Sequence, residues 1–127
     1  MSERTLAQRR AADALKKVKD LERRKNYGNY KSYVSGLPAN ILMSGLGQAA
    51  ATLRAGGKAG HLKLYEHLSS WLCGGDEDSP YPQGDLLEHI TKHKEDKYLH
   101  AQGEAMAYLE WLKKFAVALL KDGKEKD

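Results

Sequence analysis

The last quarter of the chain carries the sequence pattern that most restricts the fold. Between residues 96 and 121, apolar side chains recur every three or four positions without interruption. They are Tyr98, Ala101, Ala105, Tyr108, Leu112, Phe115 and Leu119, with Met106, Leu109, Ala116 and Leu120 beside them. Because an α-helix makes one turn in about 3.6 residues, this spacing places all of them on one broad face. The segment therefore predicts a long helix that other helices must cover.

Further helices are predicted upstream from the same spacing and from helix start and stop residues. The expected segments are residues 3–25, 30–34, 38–54, 59–73 and 85–93. Pro38 suits a first helical turn, and Asp85 followed by Glu88 forms a capping-box pattern. Gly45 and Gly47 each weaken a helix by about 1 kcal/mol relative to Ala, so we expect a neighbouring helix backbone to approach them closely.

These segments predict an all-α protein, a single compact bundle of about five to six helices in one domain spanning residues 1–127. Apolar residues make up 41% of the 127 positions and charged residues 30%, which suits one globular core. Residues 74–84 are acidic and contain Pro80 and Pro82, so we expect an exposed loop there. Residues 122–127 should fray at the end of the last helix.

Several classes of function are disfavoured. There is no apolar run long enough for a membrane helix and no signal-peptide pattern, so the cytoplasm is the expected location. Cys73 is the single cysteine, which excludes an intrachain disulfide and favours packing as a small apolar residue. His89 and His93, four apart on one helix, could hold zinc or could be two exposed polar residues. Because catalytic motifs are absent, we predict no enzyme activity, no catalytic residue, no metal and no cofactor.

Charge is unevenly distributed along the chain, whose formal net charge is +4. Residues 1–31 contain 10 basic and 4 acidic side chains, whereas residues 76–127 contain 8 basic and 12 acidic ones. A basic end attracts phosphates, and an acidic end suits a basic partner.

The first helix carries the clearest functional pattern. Two rows of basic residues spaced seven apart should line one long face, with Asp13 and Asp20 between them. The rows are Arg9, Lys16 and Arg23, and Arg10, Lys17 and Arg24. They indicate either phosphate contact or a solvated face of ion pairs. Arg54, Lys113 and Lys114 are further candidate nucleic-acid contacts.

Aromatic residues allow two interpretations as well. Tyr27, Tyr30 and Tyr33 recur every three positions and could pack in a core or stack on bases. Trp111, at the flank of the last helix, could cover the core or bind a partner.

Three segments, taken in order, resemble the small subunit of the type III-B CRISPR effector, the Cmr complex. Residues 37–49 resemble the family's Leu-Pro followed by Asn-Gly-Leu-Gly-Gln, with Ser44 in place of Asn. Residues 67–72, His-Leu-Ser-Ser-Trp-Leu, form the second segment. Residues 98–116 contain the third, which resembles Glu-Ala-x-x-Tyr/Phe-Leu-x-Trp-Leu-Lys-Arg-Phe-Ala, with Lys114 in place of Arg.

The resemblance implies a non-catalytic subunit that stacks with further copies of itself beside the backbone subunits. Its expected partners are the backbone and large subunits, the guide RNA and the target RNA, in antiviral defence. The matched motif carries over only Lys113 and Lys114 as contacts, whereas the basic residues of the first helix rest on the charge argument. A protein scaffold without RNA contact, and a stand-alone helical DNA-binding protein, are the alternatives.

Overall fold

A computed structural model describes residues 3–121 of the protein. Its five helices are α1 (Leu6–Arg24), α2 (Tyr30–Gly56), α3 (Ala59–Leu72), α4 (Leu86–Lys92) and α5 (Glu95–Leu119). The all-α class is confirmed, since the described residues form no strand beyond one isolated bridge. The predicted frayed tail, residues 122–127, lies outside the described residues. Among the described helices, none has both the length and the apolarity needed to cross a bilayer.

Helix α1 is amphipathic and has a well-defined beginning. The Gln8 N–H donates to the Thr5 hydroxyl (3.1 Å), and the Thr5 N–H donates to the Gln8 side chain (2.8 Å). This reciprocal pair is a capping box, which satisfies two amide groups that the first turn leaves without helical partners. The buried residues Ala14, Val18 and Leu21 form a narrow apolar face. Polar contacts must therefore contribute to holding α1 on the bundle.

Helix α2 corrects two predicted boundaries. Separate helices at residues 30–34 and 38–54 were expected, with Pro38 opening the second, but the helix continues through Pro38. The interruption falls at Gly45 instead, where φ is 84° and ψ is 160°. This backbone region is open essentially only to glycine, whereas Pro38 removes a single helical hydrogen bond. Gly45 therefore divides the helix.

The chain turns back at Gly45, so the two parts of α2 pack as separate segments. A Cβ added at Gly60, just beyond α2, would lie 2.8 Å from the carbonyl oxygen of Tyr27 and 2.9 Å from the amide nitrogen of Tyr30. The end of α2 has thus returned to its beginning, and only a residue without a side chain fits at this approach.

Helix α5 stabilises the break in α2. The interruption deprives the following amide groups of helical acceptors. The Leu46 N–H donates to the Gln102 side-chain oxygen, and the Gly47 N–H donates to the Tyr98 hydroxyl, each at 2.9 Å. A Cβ added at Gly45 would lie 2.9 Å from the same hydroxyl oxygen. The close neighbour predicted for these glycines is therefore the Tyr98 side chain and not a helix backbone.

The connection between α3 and α4 is less exposed than predicted. Residues 74–84 were expected to form an exposed loop, but Pro80 is buried and Tyr81 is only 1% exposed. The Tyr81 N–H donates to the Leu72 carbonyl at 3.0 Å, which draws the loop back against α3. Burial of a large aromatic surface explains the difference. Of the acidic residues in this loop, Glu77 and Asp78 are exposed, whereas Asp76 is largely covered.

Helix α4 begins where the sequence predicts. Asp85 precedes its first residue, and its carboxylate accepts a hydrogen bond from the Glu88 N–H at 3.4 Å. This caps one of the free amide groups of the first turn.

Helix α5 is the element against which α1, α2 and α3 pack, as its apolar pattern predicts. Its buried apolar residues are Ala101, Ala105, Tyr108, Leu109, Leu112 and Ala116. Arg10 of α1 contacts Glu104, and Lys17, two turns later, contacts Tyr108, so α1 and α5 run in the same general direction. This arrangement decides which basic residues of α1 remain accessible.

Candidate nucleic-acid interface

Arg9 of α1 is held by the loop that follows α3. Its Nε donates to Asp76 Oδ1 at 2.9 Å, and its Nη2 donates to Asp78 Oδ2 at 2.6 Å. The Asp76 side chain is only 9% exposed. Burial alone would raise the pKa of Asp76, but the hydrogen bond from Arg9 and another from the Asp78 N–H outweigh it, so this pKa lies below its usual range. Arg9 thus fixes the loop to α1.

Arg10 forms a second internal contact, with Glu104 of α5. Arg10 Nε donates to Glu104 Oε2 at 2.6 Å and Nη2 donates to Oε1 at 2.8 Å, a bidentate pair. Trp71 of α3 donates its Nε1 hydrogen to Glu104 Oε2 at 2.8 Å. Burial alone would raise the pKa of Glu104, but these donors outweigh it and lower the pKa. One carboxylate therefore joins α1, α3 and α5.

Lys17 belongs to a third internal group. Its Nζ lies 2.7 Å from Asp13 Oδ2 and donates to the Tyr108 hydroxyl (3.1 Å) and the His67 carbonyl (3.2 Å). The Tyr108 hydroxyl in turn donates to Asp13. Burial lowers the pKa of Lys17, although Asp13 acts in the opposite direction. This ammonium group is part of a polar layer beneath α1.

The expectation that six basic residues line one exposed face is therefore corrected. Arg9, Arg10 and Lys17 each bind carboxylates, and the carboxylates of Arg9 and Arg10 come from elements 67 and 94 positions further along the chain. The physical reason is that the narrow apolar face of α1 is supplemented by ion pairs along its edges. Spacing within one helix cannot indicate partners so distant in sequence.

The basic residues that stay accessible on α1 line an open groove against α3, which we call the α1 groove. It has a volume of about 800 Å³, and Lys16, Lys19 and Arg23 lie along it with Leu15 and His67. Its lining also includes Lys17 and the carboxylates of Asp13 and Asp20. Lys16 and Lys19 are exposed, and the Arg23 side chain is 73% exposed. Three accessible cations around a partly apolar floor can bind phosphate groups and leave room for a sugar or base.

Arg23 and Arg24 share one exposed carboxylate, that of Asp20. Hydrogen bonding from Arg23, opposed by slight desolvation, lowers the pKa of Asp20. Exposed ion pairs of this kind contribute little to stability and are screened by salt. A phosphate can therefore compete with Asp20 for these two guanidinium groups.

The other predicted contacts lie outside the α1 groove. Arg54, near the end of α2, lies over the Tyr65 ring at 5.3 Å from its centre and 3.5 Å from Asp85 Oδ1. Lys113 and Lys114 are exposed on α5. The structure does not gather these three residues and the accessible cations of α1 into one site.

The aromatic residues of α2 face the protein interior. Tyr30 is fully buried, and its hydroxyl hydrogen-bonds to His67 Nδ1 at 2.8 Å, which confirms the core interpretation for this residue. Burial lowers the pKa of His67 to about 3, so its ring is neutral at physiological pH. Tyr33 stacks on His61 with ring centres 3.9 Å apart. Stacking on bases by Tyr30 is excluded.

Trp111 and the pair formed by His89 and His93 were the remaining candidates from the sequence. Trp111 is half-buried, with its ring 5.8 Å from that of Phe115. His89 Nδ1 lies 3.2 Å from His93 Nε2, so the two rings hydrogen-bond to each other. Within residues 3–121, no cluster of three or more His, Cys, Asp or Glu side chains could hold a metal ion.

Sequence reasoning missed Lys19, which lines the α1 groove. Lys16, Lys19 and Arg23 are spaced three and four apart, the spacing of one helical stripe. The two rows spaced seven apart drew attention to Arg9 and Arg10 instead, although the three-and-four spacing was visible in the same segment.

The described residues define a small helical bundle with an open groove beside α1. Comparison with known proteins agrees with this class. The family model described as CRISPR-associated protein (Cas_Cmr5) matches residues 6–119. The CRISPR system Cmr subunit Cmr5 of Thermus thermophilus is 31% identical over 119 residues, covering 94% of this chain and 99% of that protein.

A solved structure gives the same result. The X-ray crystal structure of a CRISPR-associated Cmr5 family protein, also from Thermus thermophilus, aligns with a TM-score of 0.78 at 29% identity, covering 94% of this chain and all of that one. The chain belongs to the Cmr5 family, the small subunits of the type III-B CRISPR effector called the Cmr complex.

Proposed function

We propose that this protein acts in the cytoplasm as a non-catalytic subunit that contacts guide and target RNA through its α1 groove. It stacks with further copies of itself beside the backbone subunits and meets the large subunit, in antiviral defence. Family membership supports the partnership with other Cmr subunits. The observation that carries the RNA contact is the alignment of Lys16, Lys19 and Arg23 along an open groove.

The basic residues divide into two roles in this proposal. Lys16, Lys19, Arg23 and Arg24 contact phosphates, because their side chains are accessible and at most weakly paired. Arg9, Arg10 and Lys17 position α1 through their carboxylate partners. Lys113 and Lys114 remain candidate contacts on the family resemblance, and Arg54 on its charge. Such contacts follow the RNA backbone and are independent of base sequence.

Salt dependence of RNA binding by the assembled complex tests the groove. Each phosphate contact on a single strand contributes about 0.7 to the slope of log affinity against log salt, so removing three contacts should reduce the slope by about 2. The test variant replaces Lys16, Lys19 and Arg23 with Ala. Its charge-matched control replaces Lys92, Lys94 and Lys97, exposed lysines around the α4–α5 junction, with Ala.

We expect the groove variant to bind single-stranded RNA more weakly with a shallower slope, while the control binds as the wild type does. Equal slopes for the groove variant and the wild type would refute RNA contact by the groove. Pairing Lys113→Ala with Lys114→Ala tests those two residues in the same assay. The assembled complex is the right sample, because repeated subunits raise the apparent affinity.

We also infer that the protein binds and does not catalyse. Two groups that often act in catalysis are unsuited to it here. Burial raises the pKa of the Cys73 thiol to about 11, which keeps it protonated and unreactive at neutral pH. Burial likewise lowers the pKa of His67 to about 3, which keeps its ring neutral, and its Nδ1 is hydrogen-bonded to the Tyr30 hydroxyl.

A scaffold role without RNA contact is the second candidate. The observation that favours it is the internal pairing of Arg9, Arg10 and Lys17, which removes half of the six cations once expected on the exposed face. Normal incorporation of the groove variant into the complex, with unchanged RNA binding, would support this candidate.

A further inference from the structure

The exposed side of the first part of α2 carries no charge. Residues 32–53 contain no Asp, Glu, Lys or Arg, although charged residues make up 30% of the chain. The exposed residues on this side, which we call the α2 face, are Ser32, Gly36, Ala39, Asn40, Leu42 and Met43.

Two large apolar side chains project from the α2 face. Leu42 is 74% exposed and Met43 is 85% exposed, the two highest values among the exposed large apolar residues of the described chain. They lie on the last turn before the reversal at Gly45, so they form a corner of the molecule. Adjacent exposed apolar side chains on a neutral surface are typical of a protein interaction site.

Gly36 on the same face is unexplained by the fold itself. A Cβ added there would have no atom within 4 Å, and the backbone is helical. Glycine is the poorest helix former after proline, so alanine would suit the isolated chain better. The absence of a side chain at Gly36 leaves room for another molecule to approach the helix backbone closely.

We propose that the α2 face docks onto an uncharged, apolar surface of a different protein subunit of the effector complex. This inference rests on the proposed place of the chain in that complex. RNA is a poor occupant, because phosphate binding needs cations and the face has none. The cores of protein interfaces, by contrast, are depleted in charge and enriched in residues such as Met.

Charge also argues against a second copy of this chain as the occupant. The longest charge-free segment of the chain is the α2 segment itself, residues 32–53. A second copy of this chain would therefore dock best through its own α2 face, and the two copies would form a two-fold symmetric pair. A two-fold pair closes on itself and uses the face in both copies, so it cannot extend into a stack.

Incorporation into the complex tests the proposal. The full chain is co-expressed with the other subunits of its effector complex, and the complex is purified through one of those subunits. Met43→Asp should reduce the amount of this chain in the complex at least tenfold, because it places a charge in an apolar contact. The matched control is Val117→Asp, at a 53% exposed apolar position on α5, which should be incorporated normally.

A second variant covers any effect of Met43→Asp on folding. Gly36→Gln adds bulk where the fold leaves space and should preserve the thermal melting of the isolated chain, yet reduce incorporation. Normal incorporation of both α2 variants, or equal loss with Val117→Asp, would overturn the proposal. Dimerisation of the isolated chain that Met43→Asp abolishes, with incorporation intact, would assign the face to a second copy instead.

The test of the α2 face can be distinguished from the test of RNA binding by the α1 groove. The groove variant should enter the complex normally and bind RNA weakly, whereas Met43→Asp should fail to enter. Failure of either expectation leaves the other intact.

Discussion

At the scale of single residues, buried polar groups join α1 to the rest of the molecule. Glu104 accepts hydrogen bonds from Arg10 and Trp71, and Lys17 donates to the His67 carbonyl. Removing one member of such a group leaves a partner buried without a hydrogen bond, which costs more than the contact itself contributes. Burial of this polar layer also makes the protein sensitive to pH, most clearly through His67.

Acidification should destabilise the protein through His67. Its pKa is about 3 in the folded state, owing to burial and to Lys17 beside it, and about 6.5 in an unfolded chain. The unfolded state therefore binds more protons below pH 6.5, and stability falls as the pH falls toward 3. We expect a loss of about 2 kcal/mol between pH 7 and pH 5, measured by urea unfolding.

Two variants isolate the contribution of His67 to the pH dependence of stability. His67→Gln should lose less stability between these pH values than the wild type does, whereas His100→Gln, at an exposed position on α5, should resemble the wild type. Parallel pH profiles for the wild type and His67→Gln would contradict the assignment.

At the scale of elements, the reversal inside α2 decides the arrangement of the bundle. It allows the beginning of α3, at Gly60, to approach the start of α2, and it closely follows the exposed Leu42 and Met43. Gly45 tolerates the left-handed backbone, and α5 supplies hydrogen-bond acceptors for the amide groups that follow. The break and its partners on α5 thus form one unit.

Gly45→Ala should weaken the fold by about 1–3 kcal/mol. An alanine at this position would have to adopt a φ of 84°, which is unfavourable for a residue with a side chain. Its Cβ would also lie 2.9 Å from the Tyr98 hydroxyl oxygen, so the hydrogen bond from the Gly47 N–H to Tyr98 would have to shift. Gly103→Ala is the control, since that helical position has open space and should gain up to about 1 kcal/mol. Urea unfolding of both variants measures the difference. Equal stability of the two variants would mean that the backbone at residue 45 is not constrained.

At the scale of the whole molecule, the acidic part of the chain folds over the basic helix. Asp76, Asp78 and Glu104 bind Arg9 and Arg10, so part of the acidic half meets its basic partner within the same molecule. Lys16, Lys19 and Arg23 stay exposed along the α1 groove, whose lining also includes Asp13 and Asp20. Asp78, which binds Arg9 near the beginning of α1, should reduce the attraction of this helix for a polyanion, because opposite charges nearby weaken the local potential.

Asp78→Asn should therefore strengthen RNA binding by the assembled complex about threefold at low salt, and by less at high salt. Asp78 is 59% exposed, so the substitution should leave the fold intact, and it also releases one hydrogen bond of Arg9. Filter binding at two salt concentrations, with Glu110→Gln as the exposed control on α5, measures the effect. Unchanged affinity at low salt would indicate that Arg9 and its loop lie away from the RNA.

The chain's local patterns were sufficient for much of this structure. The spacing from Tyr98 to Leu119 predicts α5 within a residue or two at each end, and Asp85 marks the start of α4. Such features depend on helical periodicity and on contacts within one turn, which neighbouring residues determine by themselves.

Tertiary structure decided which residue interrupts α2 and which cations stay exposed to solvent. Pro38 and Gly45 both weaken a helix locally, and only the acceptors on α5 make the break at Gly45 favourable. Arg9 and Lys16 look alike in the sequence, yet Asp76 and Asp78 bind the first, while the second lines the groove. An ion pair across 67 positions depends on how the helices pack, and helical periodicity carries no information about that packing.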